Sequence, residues 1–233
     1  KQAPIYALFY LGKAFQINNQ LDTALATYHR FLNKIQDTSD YNMNFIRKQI
    51  ESCKLAKEFI NNPTHLRKKN LGASINDSYT NIKPVINEQE DRLIYVSELK
   101  FYDAVFMSER KNNTWSSSIN LSSQIQSDGN LYPCSMDTAG NTMIMFKSEQ
   151  YQGDLFITHF DKEKGEWQVP TKLGKNINSR YWETHGALSP DGNKLYFTSN
   201  RKGGEGNLDI YVSQYNEQEN RWGEPQNMGN QIN

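Results

Sequence analysis

The sequence predicts an α + β multidomain chain: an N-terminal helical hairpin plus a capping helix over residues 1–62, then a partial β-propeller of four-stranded blades over residues 63–233. Two observations carry the prediction. Apolar residues recur with a helical period as far as Asn61-Asn62-Pro63, and beyond it they alternate in short runs broken by turn residues. Three tryptophans, Trp115, Trp167 and Trp222, then recur at intervals of 52 and 55 residues, a period that suits propeller blades. The 233 residues balance 26 Lys and Arg against 26 Asp and Glu, which argues against charge-driven binding to nucleic acid or anionic lipid. No stretch approaches the roughly 18 apolar residues that a membrane helix needs. Cys53 and Cys134 are too few for a disulfide scaffold and are expected as buried thiols.

In the first part, Leu8, Leu11 and Phe15 form one apolar stripe, and Leu21, Ala24, Leu25, Tyr28 and Leu32 form the next. Asn18-Asn19-Gln20 between them is too short for anything but an antiparallel helix pair. A third helix follows from about Asp40, its expected N-cap, with Ile46, Ile50, Cys53 and Ile60 on one face, and Pro63 stops it. Aligned on Leu11-Gly12, the hairpin resembles a tetratricopeptide repeat from Ile5 to Thr38. The motif positions fall on Leu8, Leu11, Gly12, Phe15, Ala24 and Tyr28, where small Gly12 and Ala24 let two helices approach; Phe31 and Gln36 depart from the pattern. That resemblance implies a concave partner groove at Tyr6, Phe9, Lys13 and Gln16. One such repeat cannot bury its own stacking face, so a segment before Lys1 or the β region is expected to cover it.

The second part repeats one unit over 71–121, 122–173 and 174–228. Each copy holds an apolar strand ending in Ser (Leu93–Ser97, Met143–Ser148, Leu195–Ser199), a strand opened by Asp103, Asp154 or Asp209, and a short strand after the Trp. The repeated Trp and Asp read as structural: Trp packs the outer strand, and Asp accepts backbone N–H groups at the turn. Residues 64–71 precede the first copy, with Lys69-Asn70-Leu71-Gly72 parallel to Thr171-Lys172-Leu173-Gly174 and Gln226-Asn227-Met228-Gly229. They are expected as a lone closing strand for a last blade. Three blades and the start of a fourth cannot close a ring, so the protein is expected to continue beyond Asn233. The run Leu188 to Arg201 resembles the PD40 repeat, the WD40-like unit of TolB-type propellers, with Pro190, Asp191 and Gly192 setting the tight reversal. Asp137-Thr138-Ala139-Gly140-Asn141 keeps the glycine, and Asn87-Glu88-Gln89-Glu90-Asp91 keeps neither Pro nor Gly.

Read together, the helical hairpin, Asn70-Leu71-Gly72 and the PD40 units resemble the TPR–PD40–OmpA-like envelope protein family of Bacteroidetes, which includes the PorE-type component of the type IX secretion system. The resemblance implies a periplasmic, lipid-anchored protein of the outer membrane, whose peptidoglycan-binding C-terminal domain lies outside these residues.

A search for chemistry is mostly negative. The sequence has no Gly-x-Ser-x-Gly elbow, paired-His metal motif, Walker loop or dinucleotide fingerprint. His29, His65, His159 and His185 fall on different elements. Glu183, His185 and Asp191 can be drawn as a polar cluster, yet period two alone places Glu183 and His185 on one strand face. Gly203-Gly204-Glu205-Gly206-Asn207 lies between strands and reads as a hairpin, and Asp161 to Glu166 reads as a charged turn rather than a calcium loop. Among the aromatics Tyr151, Tyr181 and Trp182, the Tyr181-Trp182 pair is the candidate for stacking on a sugar, since neighbours on a strand cannot both face the core. Asp137-Thr138-Ala139 matches a short O-glycosylation signal at a hairpin tip, which makes Thr138 an acceptor candidate.

The expected function is a non-catalytic envelope scaffold without cofactor or metal. Its partners would be other envelope proteins of secretion or motility machinery, with peptidoglycan held through the missing domain. The alternatives are a propeller that binds glycan or peptidoglycan fragments, and the accessory propeller of a hydrolase.

Overall fold

The computed structural model describes residues 4–64, 66–149 and 152–233. The chain divides into two compact units at Lys69 and Asn70.

The helical unit holds α1 (Tyr6–Ile17), α2 (Leu21–Leu32) and α3 (Met43–Asn61). α1 and α2 approach as Gly12 allows: a Cβ there would sit 2.6 Å from a Tyr28 ring carbon. The Tyr28 hydroxyl donates to Gln16 Oε1 at 2.7 Å, and burial, with a smaller contribution from Cys53, pushes its pKa up to about 12. The buried seam is Phe9, Ala24, Tyr28, Phe31, Ile46, Ile50 and Cys53. It is rotated from the expected α1 stripe, because the glycine face is where α2 can come close: Leu11 is 44% exposed while Phe9 is 2%. Asn42 rather than Asp40 caps α3, its Oδ1 accepting the Phe45 N–H at 3.0 Å. Ile60, expected on the buried face, is exposed at the helix end.

The β unit holds three antiparallel sheets in sequence order. The first contains β1 (Thr80–Ile86), β2 (Arg92–Glu98), β3 (Asp103–Lys111), β4 (Thr114–Trp115) and β5 (Ile119–Asn120). The second contains β6 (Leu131–Met136), β7 (Thr142–Glu149), β8 (Gln152–Asp161), β9 (Glu166–Trp167) and β10 (Thr171–Lys172). The third contains β11 (Glu183–Leu188), β12 (Lys194–Ser199), β13 (Asp209–Asn216), β14 (Arg221–Trp222) and β15 (Gln226–Asn227). In each, the fourth strand position is split into two short pieces that both pair with the third strand. The first strands touch in turn, β1 on β6 and β6 on β11, an arrangement consistent with part of a β-propeller.

Trp167 and Trp222 belong to the packing between sheets, whereas Trp115 packs on Ile75, Leu93 and Tyr95. Trp167 is buried among Ile94, Met107 and Leu121 of the first sheet and Met143 of its own, and Trp222 among Ile144, Ile177, Phe197 and Tyr211. The turns that join first and second strands interlock. Arg92 Nη1 donates to the Gly140 carbonyl at 2.6 Å, and Thr138 Oγ1 to the Pro190 carbonyl at 3.0 Å. The three Asp have separate roles. Asp209 accepts the N–H groups of Glu205 and Gly206 at 2.5 and 2.9 Å, Asp154 pairs with Lys172 at 2.7 Å, and Asp103 accepts from the Tyr132 hydroxyl at 3.1 Å. Only Asp209 therefore plays the turn-capping part the sequence suggested for all three.

The closing strand expected over 64–71 is not a strand among the described residues. A strand is defined by its ladder, and this segment, expected to complete a last blade, pairs with none of the three sheets.

Candidate functional site

Each first strand carries a bulge: between Ile82 and Val85 in β1, Pro133 and Ser135 in β6, and Thr184 and Gly186 in β11. Pro84 and Pro133 are one cause, since proline cannot donate to a ladder. Two bulged residues take left-handed backbone, Lys83 at φ 51° and His185 at φ 47°, a conformation that costs energy in a residue with a Cβ. Bulges re-aim side chains, and here they turn Lys83, Cys134 and His185 toward one cavity of about 220 Å³, walled by Pro84, Tyr132 and Phe146.

Inside it, Lys83 Nζ sits 3.4 Å over the Tyr132 ring. Burial, then the Asp103 carboxylate that accepts its proton, raises the Tyr132 phenol. The His185 ring stacks on Phe146 with centroids 6.3 Å apart and planes at 14°, and His185 Nδ1 meets Thr184 Oγ1. Burial raises the Cys134 thiol, against a lowering by the Gly186 N–H and by Lys83, and the thiol makes a long contact of 3.9 Å to the Tyr132 carbonyl. A protonated thiol without a base is a poor nucleophile. The arrangement suits binding: a lysine and an imidazole over aromatic walls. No cluster of three His, Cys, Asp or Glu able to hold a metal occurs among the described residues.

The sequence-derived candidates fall as follows. Glu183 and His185 do not share a face, because the bulge between them breaks the period of two. Glu183 is fully buried against Arg201 Nη2 at 3.2 Å, Ser199 Oγ at 2.7 Å and Ser179 Oγ at 2.7 Å, and His185 faces outward. Tyr181 and Trp182 precede β11 rather than lying in it. Trp182 is 43% exposed and lies against Gly153, where no Cβ would fit, while Tyr181 is held by Arg180 at 3.1 Å. Tyr151 and His65 lie outside the described residues. Thr138 is half-buried, its hydroxyl engaged by Pro190.

The expected groove on α1 is filled by the chain itself. Tyr6 stacks on Tyr41, Phe9 packs on Phe45, Lys13 Nζ lies 5.9 Å from the Phe45 ring, and Gln16 Nε2 donates to Ser52 Oγ at 3.4 Å. The open face of this unit is a different one, a cleft of about 410 Å³ with Ile5, Leu8 and Leu11 on its floor and Arg30 and Lys34 on its rim. Its signal was the Leu8 and Leu11 stripe. The signal for the bulge cavity was Pro84 and Pro133 within otherwise strand-like runs.

No family model matches the chain, and no curated protein matches it either. Solved structures do. TolB from Acinetobacter baumannii matches with 11% identity and a TM-score of 0.43 over 62% of this chain and 31% of its own. A putative TolB from Agrobacterium tumefaciens matches with 16% identity and a TM-score of 0.42 over 55% and 40%. The β-propeller domain of the Trilobed protease from Pyrococcus furiosus matches with 12% identity and a TM-score of 0.38 over 65% and 43%. The chain thus spans between about a third and two fifths of the solved chains it is similar to.

Proposed function

We propose that this chain is a non-catalytic scaffold of a bacterial cell envelope, working in the periplasm at the outer membrane and holding other envelope proteins. The observation that carries the reading is the cleft on the helical unit. Ile5 and Leu11 stand 42% and 44% exposed between two basic residues, a floor and rim matched to an acidic amphipathic helix. The resemblance of the hairpin to a tetratricopeptide repeat supports it, since such repeats stack helices on exposed faces. The same family resemblance extends the proposal to secretion machinery of the type IX kind, and to a lipid anchor and a peptidoglycan-binding domain outside these residues.

The test is capture of partners from envelope extracts with the intact protein and with a Leu11→Asp variant. We expect an envelope protein retained by the first and lost by the second. Equal capture, or none, removes the proposal.

One observation favours a second reading, glycan recognition by the β unit: Trp182 is 43% exposed. Under it Tyr181 and Trp182 stack on cell-wall sugar, and Thr138 remains a proposed glycan acceptor. Calorimetry with cell-wall fragments that gives the same heat for Trp182→Ala removes it.

A further inference from the structure

The second and third sheets leave a groove of about 450 Å³ between them. His159 of β8, Lys172 of β10 and Lys175 beyond it stand on one side, and Tyr215 of β13 and Arg221 of β14 on the other. Its base is fixed. Asn176 Nδ2 ties the two sheets together by donating to the Trp222 carbonyl at 2.8 Å, and Trp222 meets the Tyr215 ring at 66°, centroids 5.1 Å apart.

The strand registers give each of these wall positions a counterpart where the first sheet meets the second. Phe160 pairs with Trp167 as Tyr215 does with Trp222, which sets Glu166 in the place of Arg221. Asn120 opposes Phe106 as Lys172 opposes Phe156, and the next N–H groups, of Leu121 and Leu173, reach Val105 and Leu155 at 2.8 and 3.0 Å. Asn120 therefore stands for Lys172, and Ser123 for Lys175. Glu109 opposes Arg92 on β2 as His159 opposes Thr142 on β7. From the first contact to the second, Glu109, Asn120, Ser123 and Glu166 thus give way to His159, Lys172, Lys175 and Arg221. The buried Trp and Leu beneath are kept, at Trp167 and Leu121 in one and Trp222 and Leu173 in the other, so packing did not require the exchange.

The cations are not used up within the fold. Lys172 is held by Asp154 at 2.7 Å. Arg221 meets Glu219 at 2.6 Å, but the two side chains are 60% and 51% open to water, where a pair contributes little. Lys175 has no ion pair among the described residues. Tyr215 also brings a hydroxyl where the second sheet has Phe160, and it donates to Asn220 Oδ1 on the same wall.

We propose that this groove binds an acidic saccharide, one whose sugar rings carry carboxylates. Lys175 and Arg221 take the carboxylates in charge-assisted hydrogen bonds, and Thr171, Tyr215 and Asn220, each able to donate and to accept, meet the ring hydroxyls. An acidic peptide fits less well. Peptides are gripped through pockets for their side chains, and the apolar wall residues Leu173 and Trp222 are only 7% and 8% exposed. Neither Tyr181 nor Trp182 lines the groove, so the inference stands apart from both the envelope reading and the stacking reading.

The test is calorimetric titration of the intact protein with tetragalacturonate, beside the same tetramer methyl-esterified at every carboxyl. The ester should bind roughly tenfold more weakly or worse, the loss that follows when a hydrogen bond to a charged group is removed. Lys175→Ala and Arg221→Ala should each weaken binding of the acid by a similar factor. Both side chains are exposed, so these variants keep the parent melting temperature. No heat with tetragalacturonate at millimolar concentration overturns the proposal, as does equal binding of acid and ester, or of the parent and both variants. Tighter binding of tetraglutamate overturns it by making an acidic peptide the ligand. Trp182→Ala should bind the acid as the parent does, and a loss there would move the sugar to Tyr181 and Trp182 and sink the groove.

Discussion

In the helical unit the buried seam is aromatic: Phe9 lies 5.7 Å from Tyr28 and 5.8 Å from Phe31, centroid to centroid. At the same depth the β unit places polar groups, with Glu183 at 0% exposure, Ser199 at 1% and Asn178 at 7%. The difference follows from where backbone hydrogen bonds go. A helix closes its own ladder, so its inner face can be wholly apolar. Sheets stacked side by side leave N–H and C=O groups at strand ends and crossing loops, and once those are covered, side chains must satisfy them. Arg201 shows the consequence, donating to the Asn176 and Ile177 carbonyls at 3.2 and 2.6 Å while pairing with Glu183.

The contrast breaks first at Glu183. Glu183→Ala leaves Arg201 without its buried carboxylate partner and should cost about 3–5 kcal/mol, read by urea denaturation followed through tryptophan fluorescence. A loss no larger than a surface substitution gives would mean that the polar core is dispensable. Gly12→Ala asks the opposite question of the helical unit. A methyl group 2.6 Å from the Tyr28 ring should overpack the seam by about 1–3 kcal/mol, seen as a lower melting point of the helical circular-dichroism signal, and an unchanged melt would show that the aromatic seam yields freely. The smallest effect belongs to the interlocked turns: Thr138→Val removes one bond to Pro190 and should cost about 1 kcal/mol. Hydrogen exchange would place that loss at residues 137–140, and a loss spread over all three sheets would show that the turns act as one lock.

Much of this architecture is legible in the sequence because repetition averages out local ambiguity. Trp115, Trp167 and Trp222 mark three sheets even where the Pro-Asp-Gly turn survives in the third alone. What was not legible is whatever depends on a neighbour in space. The phase of α1 turned on which face Tyr28 approaches, not on the sum of its leucines. His185 left the face of Glu183 because a bulge inserts one residue, and period-two reasoning has no means of seeing one beyond Pro84 and Pro133. The groove expected at Tyr6, Phe9, Lys13 and Gln16 is closed because α3 and the residues leading into it supply Tyr41, Phe45 and Ser52. Residues 64–71 were read from sequence likeness as a closing strand for a last blade, and they pair with none of the three sheets because none of them is that blade.

Cys53 is fully buried, and burial raises both its thiol and that of Cys134, so neither presents thiolate to solvent near neutral pH. For anyone wishing to attach a fluorophore or spin label, the native background is therefore quiet. A single cysteine introduced at a well-exposed position such as Phe101, 85% open to solvent, would report on its surroundings without first stripping the protein of its own sulfur.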